Sequence, residues 1–116
     1  MKTVLVILTM MVSASGFAAA NSDKDAKCDS YMAAVSKNAP AQVRLDLGLK
    51  AMAAGAMLQL TPAQETKILS NTIKFISKNP GKGDQFEKTF YFVCTTELDG
   101  DEVDLVREQL RQLEQL

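Results

Sequence analysis

The chain has 116 residues, thirteen basic and fourteen acidic side chains, a net charge of −1 at pH 7, two cysteines, and neither histidine nor tryptophan. Such a balance gives no reason to expect nucleic acid or an anionic membrane surface as partner, since both favour a clearly basic domain. Without histidine, the commonest general base, the commonest zinc ligand and every Ser-His or Cys-His nucleophile pair are missing, so neither catalysis nor a bound metal or cofactor is expected.

Residues 1–20 read as a cleaved signal peptide. Lys2 supplies the positive start, Val4 to Val12 form an almost unbroken apolar run, and Ala18-Ala19-Ala20 offers the small-x-small pattern of a cleavage site. The run is too short to span a bilayer. Cys28 lies eight residues beyond the cut, which argues against a lipoprotein. The expected product is an exported, soluble, periplasmic chain with a flexible N-terminus over 21–27 and one helical domain over 28–116, too small to divide into two. In an oxidising compartment Cys28 and Cys94 are expected to pair as a structural staple. Redox-active pairs usually stand closer, as in Cys-x-x-Cys.

Cys28, Tyr31, Met32 and Val35 fall at i, i+3, i+4 and i+7, which predicts a first helix over 26–37 with Cys28 facing inward. Asn38-Ala39-Pro40 ends it and opens a second helix reaching about Gln59. Gly48, Ala51 and Gly55 line one side of that helix, where another backbone can come close or a groove can form. The stretch from Ala51 to Leu58 is apolar all round.

Thr61-Pro62-Ala63-Gln64 has the capping hydroxyl, first-turn proline and returning amide of a strong helix start, and predicts a third helix to Lys78. Ile68, Leu69, Ile73 and Ile76 share one side of it; Lys67, Lys74 and Lys78 share the other, either as a solvated face or as a contact for an acidic partner. Asn79-Pro80-Gly81-Lys82-Gly83 is a turn, without the spacing of a phosphate-binding loop. Asp84 with Glu87 predicts a second capping pair, and Phe86, Phe90, Val93 and Cys94 then lie on one helical side. Thr89 to Thr96 is also rich in strand-forming residues, but no other segment offers it a strand to pair with, so helix is preferred and its aromatics, including Tyr91 and Phe92, are assigned to the core.

Glu97, Asp99, Asp101, Glu102 and Asp104 form an acidic turn. Val103 stands where a calcium loop needs an oxygen ligand, so the acids are read as helix-start charges instead. From Asp101 onward Val103, Val106, Leu110 and Leu113 make a short heptad stripe that either packs on its own bundle or forms a homodimer seam. The whole pattern predicts an all-α bundle of four or five helices stapled by one disulfide.

Cys28-x-x-Tyr31, the small-residue helix, the amphipathic helix ending Lys78-Asn79-Pro80 and the aromatic helix ending in Cys94 together resemble the periplasmic immunity proteins that neutralise type VI secreted amidases, over residues 28–94. That resemblance implies inhibition by occlusion of a cell-wall hydrolase, with the Asn79 to Asp84 loop, and so Lys82, as a possible contact beside the lysine stripe. A weaker likeness is to the HdeA/HdeB acid-stress chaperones, carried by Cys28 before an apolar helix and by Ile76-Ser77-Lys78-Asn79-Pro80. It implies opening in acid and promiscuous binding. Either way the expected partner is another periplasmic protein, and the chain a monomer or weak homodimer.

Overall fold

The computed structural model describes residues 23–116, which form five helices and no strand. The expected signal peptide lies outside them. Helix α1 covers residues 23–36, α2 Ala41–Gly55, α3 Pro62–Lys78, α4 Lys82–Thr95 and α5 Gly100–Glu114. Among the described residues no helix is long and apolar enough to cross a membrane.

Helix α1 starts earlier than the apolar stripe predicts and takes in residues 23–27. Two contacts hold this turn: Lys27 pairs with Asp23 across 3.6 Å, and Lys24 Nζ donates to the carbonyl of Thr96 at 2.7 Å. Its end is a Schellman turn, with the N–H of Ala39 bonded to Ala34 O, that of Asn38 to Val35 O, and Asn38 left-handed at φ 53°.

Helix α2 stops four residues short of Gln59. The same motif closes it: Leu58 N–H reaches Ala53 O, Met57 N–H reaches Ala54 O, and Met57 takes φ 56°. Helix α3 runs as the sequence predicts, from a complete Thr61/Gln64 capping box to Lys78. Helix α4 departs from expectation at its start. Gly81 adopts φ 95° and serves as N-cap with no side-chain capping bond, so Asp84 falls inside the first turn and Glu87 is left for another role. The strand alternative for Thr89 to Thr96 is not realised. Asp99 caps α5 reciprocally with Glu102, and Asp101 and Glu102 stand in its first turn, where the helix dipole favours them.

Helix α2 is the centre, packing against α3, α4 and α5, while α5 folds back along α3. Close approach of α2 and α4 depends on two glycines. A Cβ on Gly48 would stand 2.2 Å from the Phe90 ring, and one on Gly55 2.5 Å from Val93. The small-residue side is therefore filled by α4 and leaves no groove. Val103, Val106, Leu110 and Leu113 are all buried within the chain's own core, so the heptad stripe is an internal contact. Cys28 and Cys94 are bonded, with Cα atoms 5.4 Å apart. The bridge fixes α1 to the last turn of α4 and closes a 66-residue separation, for which chain entropy gives about 4 kcal/mol of stabilisation.

Candidate protein-binding site

Helix α1 lies antiparallel on α4 and is tied to it along its length. The Lys24–Thr96 bond, the Cys28–Cys94 bridge, the Tyr31 ring set edge-on to Phe90 at 5.5 Å and the Tyr31 hydroxyl bonded to Glu87 follow one another up the seam. Glu87, freed from capping, also accepts from Arg44 Nε of α2 at 2.8 Å, and Arg44 donates in addition to the carbonyl of Ala39. One carboxylate thus joins three helices. Burial of the Tyr31 ring, and secondarily the bond to Glu87, pushes its hydroxyl far above the ordinary tyrosine range, so it remains a protonated donor at any physiological pH.

Above this seam the chain presents apolar surface. Helical rotation carries Tyr91 and Phe92 off the side that holds Phe90, leaving them 55% and 43% exposed, with Val35 of α1 at 44% beside them. These two aromatics are outside the core, contrary to the sequence reading. They line an open groove of about 750 Å³ with Met32 and Val35, bordered by Asp84 and Lys88. Across the Arg44–Glu87 bridge a second hollow of about 370 Å³ lies between α2, α3 and α4, with Leu45, Ile73 and Ile76 in its wall. Asp84 borders both.

The residues singled out from the sequence do not form one surface. Lys67, Lys74 and Lys78 are exposed along one side of α3. They run beside Asn71, whose amide donates to the carbonyls of Leu113 and Glu114 at the end of α5, so the stripe flanks the negative end of that helix. Asn79 turns back to bond Phe75 O at 2.9 Å. Lys82 lines a groove between α4 and α5, whereas Asp84, two residues on, faces the α1 and α2 side. Helical phase alone could have located Tyr91 and Phe92, which stand about 100° and 200° around the helix from Phe90. No local signal marked the Tyr31–Glu87–Arg44 tie, whose members come from three separate segments.

Of the described carboxylates in ion pairs, Asp23, Asp46 and Glu108 pair with a base three or four residues away, and only Glu87 pairs across helices. Among the described residues no group of three or more His, Cys, Asp or Glu side chains gathers where it could hold a metal ion. What the arrangement offers is a rigid apolar face with a charged border. No protein-family model, curated protein or solved structure matches the chain.

Proposed function

We propose that this chain is an exported protein-binding domain of the immunity type, which occludes a cell-wall-degrading effector. The observation that carries the reading is the exposed Tyr91, Phe92 and Val35 on a seam locked by a disulfide and by the Tyr31–Glu87–Arg44 tie. Exposed aromatics on a preorganised support are what a tight, specific interface needs, because little ordering entropy is lost on binding. The acid-chaperone alternative asks the bundle to open when carboxylates are neutralised. Of the ion pairs among the described residues only Arg44–Glu87 joins two helices, so acid would open the bundle only if repulsion among the lysines and arginines left uncompensated outweighed the disulfide and the apolar core. The disulfide and the apolar core are indifferent to acid.

The test has two arms. In the first, the oxidised mature protein is titrated against a cell-wall amidase encoded beside its gene, following peptidoglycan hydrolysis; stoichiometric inhibition, lost in a Tyr91→Ser/Phe92→Ser variant of unchanged helicity, is expected. In the second, helicity and suppression of an unrelated protein's aggregation are followed from pH 7 to 2. Opening below about pH 4 together with broad protection would replace the inhibitor reading by the chaperone one.

A further inference from the structure

The apolar walls of the aromatic groove belong to two different helices, Met32 and Val35 to α1, Tyr91 and Phe92 to α4. The groove therefore exists only while α1 lies on α4. Helices α2 to α5 hold one another, with α2 packed on the other three and α5 on α3. To their shared core α1 gives one buried side chain, Tyr31, and one partly buried one, Met32. Its polar and covalent links to α4 are the Tyr31–Glu87 bond, the Lys24–Thr96 bond and the Cys28–Cys94 bridge. The bridge is the only one of these that a change of redox compartment can remove.

Cys28 is 6% exposed, whereas Cys94 is only partly buried, so the attack of a dithiol reductant falls on Cys94. A thiolate of the reductant bonds to Cys94 Sγ and breaks the S–S bond, and Cys28 leaves as a thiolate that takes up a proton. The second thiol of the reductant then closes its own disulfide and releases Cys94 as a thiol. The bridge gains two electrons and two protons, and the dithiol loses them. We propose that the Cys28–Cys94 bond is a redox latch on the docking face: once it is reduced, α1 swings away from α4 about the left-handed Asn38 turn, and the groove comes apart while α2 to α5 stay folded. This control rests on the inhibitor reading, for which it means that the face is presented only in an oxidising compartment, after export.

Amide hydrogen exchange at neutral pH is compared in the oxidised protein, in the protein kept in dithiothreitol, and after re-oxidation. Residues 24–36 should exchange roughly tenfold faster or more when reduced and recover on re-oxidation, with α2 and α5 unchanged. A Cys28→Ser/Cys94→Ser variant should match the reduced protein with or without dithiothreitol. The latch is overturned if α1 is equally protected in both redox states, which makes the bridge a passive staple, or if all five helices lose protection together, which makes it a support of the whole domain. Amidase inhibition is read separately and should weaken roughly tenfold on reduction. An oxidised protein that fails to inhibit tells against the inhibitor reading while exchange still decides the latch; equal inhibition by both forms overturns the latch's control of the face.

Discussion

The two sides of α4 are built from one short run of similar residues and meet opposite fates. Phe90 and Val93 are wholly buried, while Tyr91 and Phe92, between them in sequence, stand half in solvent. Nothing in the residue types separates the two pairs. What separates them is the neighbour: α2 presents Gly48 and Gly55 to Phe90 and Val93, whereas α1 covers the other side only as far as Tyr31 reaches. Burial of an aromatic here is decided by the side chains its partner helix lacks. The uncovered pair is the more informative about function, since large exposed apolar residues gathered on one face mark interaction sites.

The sharpest way to break this comparison is to truncate one member of each pair. Phe90→Ala empties a fully enclosed site and should cost about 4 kcal/mol in denaturant unfolding, whereas Phe92→Ala should stay within about 0.5 kcal/mol and act on binding instead. Equal losses would mean that Phe92 packs more tightly than its exposure implies. Gly48→Ala comes next. It raises helix propensity by about 1 kcal/mol, but its methyl would meet the Phe90 ring, an overpacking cost of about 3 kcal/mol, so a net loss of about 2 kcal/mol is expected. A Gly48→Ala variant as stable as the parent would show that α2 and α4 can slide apart cheaply.

How far the sequence could be read depends on whether a feature is local. Thr61, Pro62 and Gln64 settle the start of α3 among themselves, and the observed helix has the expected ends. The small-residue side of α2, Gly48, Ala51 and Gly55, and the heptad of α5 are likewise legible as faces in their own spacing, but only the placed helices show that α4 and the chain's own core cover them. The start of α4 was misread because two signals compete. Gly81 reaches a left-handed φ without steric cost and begins the helix before Asp84 can cap it. The candidate surface was the least legible part. Tyr31 and Arg44 stand 56 and 43 residues from Glu87, so their tie exists only once three helices are placed. Tyr91 and Phe92 were assigned inward by their hydrophobicity, although their helical phase pointed outward.

The covered side of the seam has its own signature in pH. In the folded chain the Tyr31 hydroxyl keeps its proton well above the ordinary tyrosine value, while in the unfolded chain it ionises near pH 10. The raised folded value means that its stabilisation is complete below about pH 10 and is lost as pH climbs from there towards the folded value, at up to about 1.4 kcal/mol per pH unit for one proton. Lysines titrate in the same range, so the measurement is the difference in unfolding free energy between parent and Tyr31→Phe from pH 8 to 11. The parent should lose its advantage as pH rises. Parallel curves would place the Tyr31 hydroxyl in contact with solvent, and with it the groove floor.

The smallest effect concerns Met57, which ends α2 in a left-handed conformation where a Schellman turn ordinarily has glycine. A side chain there costs roughly 1 kcal/mol in sterics, part of which glycine returns through its greater freedom in the unfolded chain. Met57 is 47% exposed, so its replacement surrenders little burial. Arg107 Nε bonds the carbonyl of Ala56 at 2.8 Å and holds the turn whichever residue follows. Met57→Gly should therefore stabilise the domain by about 0.5 kcal/mol, a rise of about 3 °C in melting temperature. The sign is the useful result, because Phe92→Ala and Met57→Gly both remove an exposed apolar side chain, yet only the second also removes backbone strain. A loss of stability at Met57 would mean that its side chain braces the turn from α2 towards α3, and that exposure is a poorer guide to dispensability in this bundle than the contrast within α4 implies.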